Sequence, residues 1–168
     1  MAGRQAALWN REQKIVRAPT KGLWSLYLDG SLTPMVPLRP LVEGWLESHE
    51  MALFKHPHRD CAYREIEACA DRGKITKQEA CRAMAHLAIS GLPPRAGLYA
   101  CGMLARRTSG VLPGCLQPAW WALVKELPRD QIWLPYALHM LPGSHGRINV
   151  IEADIFDNEW FSFRRHGR

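Results

Sequence analysis

Ala96-Gly97-Leu98-Tyr99-Ala100-Cys101-Gly102-Met103-Leu104-Ala105 is apolar on every side and stands near the middle of a chain of 168 residues. No alternation of polar and apolar positions runs through it, and Gly97 and Gly102 lie inside it. A segment of this kind suits a short central helix approached closely by its neighbours. Arg106 and Arg107 then fall in its last turn, where cations complement the negative end of the helix dipole.

The flanking segments carry helical spacing. From Leu41 to Phe54 positions 42, 45, 46, 49, 52 and 53, all apolar except His49, follow the three-four rhythm of one helix face. Glu43, Glu47 and Glu50 line up on another face, and Pro40 suits the first helical position. Asp60 to Arg72 repeats the pattern and ends at Gly73, a left-handed stop. Thr76 with Glu79 is a capping box, followed by the stripe Ala80, Ala83, Met84, Leu87 and Ala88. Pro118 to Leu127 and Asp130 to Leu141, the latter interrupted by Pro135, complete the set.

Strand signals lie toward the two ends. Leu23 to Leu28 is rich in strand formers and meets Asp29-Gly30, a dipeptide suited to a hairpin turn, before Ser31 to Thr33. Pro34, Pro37 and Pro40 make the following connection stiff. Ile148, Val150 and Ile151 precede a second strand signal at Glu159 to Phe163, with Asp157-Asn158 between them. The sequence therefore predicts one domain over 1–168, mainly α within α+β. It comprises an N-terminal hairpin and Pro-rich connection (1–40), a core of five to six helices (41–141), and a C-terminal hairpin with a basic tail (142–168).

Composition narrows the function classes. A hydrophobic content of 47% with seven Trp excludes intrinsic disorder. The longest apolar stretches reach half of the ~20 residues needed to cross a bilayer, so no membrane span is expected. No secretory leader is legible at Met1 to Trp9, and an odd number of five Cys disfavours a disulfide framework, which together predict a cytoplasmic protein. Most of the cysteines read as small buried hydrophobes.

Catalytic signatures are lacking. There is no P-loop, G-x-S-x-G, H-E-x-x-H or G-x-G-x-x-G, so an enzyme is not expected and no cofactor is implied. His56, His58, Cys61 and Cys69 resemble a metal site, but eight residues of helix set the two cysteines about 12 Å apart, too far to share one ion. No metal is expected. Glu152, Asp154, Asp157 and Glu159 read as a hairpin rim paired by Arg164 and Arg165. The loop Gly143 to Arg147 reads either as an anion-binding turn or as a plain helix-to-strand connection. An enzymatic reading would rest on Ser144, His145 and Arg147 beside Glu152 and Asp154.

What remains is binding. The chain carries a formal charge of +6, and residues 55 to 109 hold ten cations against five anions. The expected function is stoichiometric binding of a protein or ribonucleoprotein partner, as an inhibitor or adaptor of the kind mobile elements encode. In that reading Glu43, Glu47 and Glu50 meet a basic groove, and Trp121 or Trp160 is the buried anchor. The alternative is direct nucleic-acid binding, with Lys74, Lys77, Arg82, Arg106 and Arg107 on phosphates and His86 or Gln78 near bases. The helix pair around Gly73 resembles a helix-turn-helix only loosely, because Lys74 stands where the apolar turn residue belongs. It reads better as a capped αα-hairpin.

Overall fold

The computed structural model describes residues 2–17 and 21–164. The last four residues of the expected basic tail lie outside the described residues.

The apolar run at 96–105 is a strand, and that corrects the expected architecture. β4 (Tyr99–Arg107) lies between β1 (Trp24–Leu28) and β3 (Met51–Lys55), both antiparallel to it, and β5 (Ile148–Ile151) joins β3 in parallel. A second sheet pairs β2 (Leu32–Pro34) with β6 (Phe161–Phe163). The class is α+β, 46% helical with 19% strand, and the strands are central.

Two physical facts disguised β4. A strand covered on both faces is apolar throughout, so it lacks the alternation of a half-exposed strand. The register also slips: Leu53 pairs with Leu104 but Phe54 pairs with Ala100, which inserts a bulge around Gly102. Tyr99, Cys101 and Leu104 consequently face one core, and Ala100, Met103 and Ala105 face the other. β3 misled in the same way. The helix read over 41–54 is α2 (Leu38–Trp45), after which the chain turns and re-enters as Met51 to Phe54, all four buried.

Neither expected hairpin forms. Asp29-Gly30 does turn the chain, with the Leu32 amide donating to the Asp29 carbonyl at 2.9 Å, but the turn carries it from one sheet to the other. β1 pairs with β4, while β2 pairs with β6 from the opposite end of the sequence.

Helices cover one face of the main sheet: α1 (Ala2–Ile15), α3 (Ala62–Asp71), α4 (Lys77–Ile89), α5 (Val111–Glu126) and α6 (Asp130–His139). α2 and the small sheet cover the other. α1 falls where a hairpin and linker were expected. Its helix formers Ala6, Ala7 and Leu8 were legible, but a half-polar helix shows its docking face only once α5 and the buried Lys14 are placed. α4 begins with the expected capping box, in which the Thr76 hydroxyl accepts from the Glu79 amide at 3.1 Å and the Thr76 amide donates to Glu79 Oε2 at 2.8 Å.

Candidate functional sites

The expected acidic stripe does not exist as a stripe. α2 ends at Trp45, so Glu47 and Glu50 leave the helix that holds Glu43. Glu43 pairs with Arg39 one turn away. Glu50 is engaged internally, accepting from the Leu112 amide at 2.7 Å to cap α5 and pairing with Arg147. Trp160 is half-buried, 5.4 Å from Trp45 and 6.0 Å from Phe54 between ring centres, and Trp121 is half-buried against the helical core.

The alternative set divides in two. Arg106 is 3% exposed and donates to the Ile15 carbonyl at 3.2 Å, and burial lowers its pKa to about 10. Arg107 donates to the carbonyls of His49, at 3.0 Å, and of Leu46 and Glu47. Arg106 ties β4 to the end of α1, its Nε buried without a partner, and Arg107 ties the strand to the loop after α2. Lys77, by contrast, is exposed on one flank of α4, and Lys74, Arg82 and His86 are exposed on the other side of the helix and the turn before it.

Tertiary structure adds two cations to that side. Arg4 from α1 reaches Glu79 at 3.2 Å and the Glu126 carbonyl at 2.7 Å, and Arg129 donates to the Lys74 carbonyl at 2.8 Å. Arg4, Lys74 and Arg129 line one cleft of about 240 Å³, and Arg82 and His86 line another of about 180 Å³, with Glu79 between them. Glu79 is held below its ordinary pKa first by the Thr76 amide and also by Arg4 and Arg82. His86 rests edge-on against Trp133 at 5.4 Å and Tyr136 at 5.2 Å. Four cations, Arg4, Lys74, Arg82 and Arg129, from three separate stretches thus surround two clefts whose carboxylates are Glu79 and Glu126. Arg4 and Arg129 were not legible as site residues, because only the docking of α1 and of the α5–α6 turn brings them to α4.

A second polar site was equally invisible in the sequence. Lys14, 3% exposed, donates to Asp130 at 2.7 Å and lies 3.5 Å from Asp29. The Tyr27 hydroxyl donates to Asp29 at 2.7 Å, and the Lys14 ammonium sits 5.0 Å from the centre of the Tyr27 ring. Burial works against the charge on Lys14, but Asp130 and then Cys101 and Asp29 outweigh it, so its pKa is raised. Burial likewise opposes charge on Asp130, and Lys14 with Arg11 more than offsets it, leaving the carboxyl below its ordinary range. Both groups are locked in their charged forms.

The remaining candidates are structural. His56 Nδ1 accepts the amides of His58 and Arg59 at 3.1 Å, and Arg59 pairs with the buried Glu65 at 2.6 Å. The His-Pro-His loop is thereby pinned to α3. Burial, with Arg59 and His58 also acting, lowers His56 to about 4 against the opposing pull of Glu65. Ser144 is buried and donates to the Leu138 carbonyl at 2.7 Å, while His145 is exposed, so they are not arranged as nucleophile and base. With Arg147 on Glu50, the 143–147 loop is a helix-to-strand connection. Glu152 pairs with Lys55 at 2.7 Å and Asp154 accepts the Phe156 amide at 2.8 Å. Cys61, Cys69 and Cys101 are buried, whereas Cys81 and Cys115 are exposed. No group of three or more metal-ligating side chains gathers among the described residues, and none of their helices is long and apolar enough to cross a membrane.

No known protein-family model matches the chain, and neither does any curated protein or solved structure.

Proposed function

We propose that the protein binds nucleic acid, free or within a ribonucleoprotein, stoichiometrically and without catalysis, as an inhibitor or adaptor would. The observation that carries this reading is the face built from Arg4, Lys74, Arg82 and Arg129. Clustered cations on one surface are what phosphate contacts require, and here two of the four come from outside the α3–α4 segment. The exposed His86 ring, backed by Trp133 and Tyr136, offers a flat surface beside Arg82 for an unpaired base. A non-catalytic role is favoured by the second site, where Lys14 and Asp130 are each held in a single protonation state around neutral pH.

Four phosphate contacts imply that log affinity falls against log salt with a slope of about −3 to −4 for duplex DNA. Titration of labelled duplex and single-stranded oligonucleotides between 50 and about 200 mM salt measures it. Lys74→Glu with Arg129→Glu is expected to abolish binding while the melting temperature holds. Absence of binding at low salt, or an affinity indifferent to this double replacement, refutes the proposal.

A further inference from the structure

Around Lys14 both carboxylates face cations, and one guanidinium has donors to spare. Asp130 takes the Lys14 ammonium, and Asp29 takes the Tyr27 hydroxyl with Lys14 close by. Arg11, one turn before Lys14 on α1, is left underused. Its buried Nε has no hydrogen-bond partner and stands 3.6 Å from Asp130, and its one bond, to the Ala7 carbonyl, is stretched to 3.5 Å. A guanidinium carries five N–H donors in a fork that fits a carboxylate or phosphate, so most of this one is unspent.

The space beside Arg11 is a cleft with two compartments that share Arg11, Lys14, Asp29 and Ser31. The outer compartment, about 260 Å³, is polar and bounded by Asn10 and Gly30. The Gly30 and Ser31 amides and the Ser31 hydroxyl meet no acceptor among the described residues. Successive free amides beside a cation form an anion-binding concavity. The inner compartment, about 160 Å³, has an apolar wall of Leu32, Ile155 and Phe156. Phe156 is 47% exposed and packs against Phe163 with ring centres 4.6 Å apart and planes tilted by 57°, which leaves its ring as an aromatic wall of the cleft.

We propose that this cleft binds a small organic anion, its carboxylate or phosphate head held by the Arg11 fork with the Gly30 and Ser31 amides, and its planar apolar body against Phe156. The site is separate from the basic face, because Arg11 lies seven residues along α1 from Arg4, about 10 Å. Its success or failure therefore leaves the nucleic-acid reading untouched.

The test titrates the full ¹⁵N-labelled chain with inorganic phosphate and then with phenyl phosphate, following amide shifts. The Gly30, Ser31 and Gln131 amides are expected to move with both probes, and phenyl phosphate is expected to bind about tenfold more tightly. Phe156→Ser removes that tenfold advantage and leaves phosphate binding as it was. Arg11→Met abolishes both. Arg11→Lys keeps the charge without the fork, and its expected loss is also about tenfold, so it carries the test if the Met variant does not fold. Shifts confined to Lys74 and Arg129 place the anion on the basic face and overturn the proposal. So do Gly30 and Ser31 amides that stay still, or an Arg11→Lys variant that binds as well as wild type.

Discussion

Lys14 and Asp130 set the energetics at the scale of single residues. Desolvating both charges is costly, and their 2.7 Å contact offsets that cost only while both partners remain. Asp130→Asn strands a buried ammonium, and urea unfolding is expected to show a loss of about 3 kcal/mol. Replacing the pair together, Lys14→Met with Asp130→Leu, is expected to lose less than Asp130→Asn alone. The depressed Asp130 contributes stability above pH 3.8 that is lost on acidification, and the raised Lys14 contributes stability below pH 10.5 that is lost in strong base.

His56 adds a narrower window. Its unfolded-state value is 6.5 and its folded value about 4, so the unfolded chain binds the proton first. The neutral ring therefore contributes stability above pH 6.5 that is lost as pH falls toward 4. Thermal melts are expected to drop across that interval more steeply in wild type than in His56→Asn. Asparagine retains an acceptor for the His58 and Arg59 amides but does not titrate. Parallel curves for the two proteins would contradict this account.

Among the elements, α5 depends on a contact from across the fold. Gly110 is its N-cap, and the Glu50 carboxylate meets the Leu112 amide there. A Cβ on Gly110 would stand 2.8 Å from Glu50 Oε2 and 2.9 Å from the Pro113 ring, too close for either to remain in place. Gly110→Ala is expected to cost about 1 to 3 kcal/mol through crowding and a displaced cap. At α4, Thr76→Ala breaks the capping box and is expected to cost about 1 kcal/mol in the same denaturation assay. The second effect was legible from Thr76 and Glu79 alone, since a cap is made by residues three apart. The first was not, because Glu50 and Leu112 meet only after β3 and β4 have paired.

For the whole molecule, the segments read correctly were those whose signals are local. α3 and α4 were recovered with their turn at Gly73, because caps, stops and one-sided apolar stripes are written within a few residues. α6 lies in the expected segment, but it runs unbroken through Pro135, where an interruption was expected. The central sheet was missed because burial on both faces erases alternation, and the bulge at Gly102 erases its phase. Misplacing β4 then misplaces Arg106 and Arg107, which tie the strand to the end of α1 and to the loop after α2. The basic face was half legible: Lys74, Arg82 and His86 lie within thirteen residues of sequence, whereas Arg4 and Arg129 join them only through tertiary docking, and Lys77 falls on the opposite flank of α4.

By itself the sequence determined a folded chain with enough apolar mass for a core, a net basic charge, and helices wherever caps and stripes are local. Tertiary structure alone decided which apolar runs became strands and which ionic groups meet. Strand pairing and burial depend on partners far away in the chain: Leu32 finds Phe163 and Lys14 finds Asp130 across more than a hundred residues, a separation no local pattern encodes.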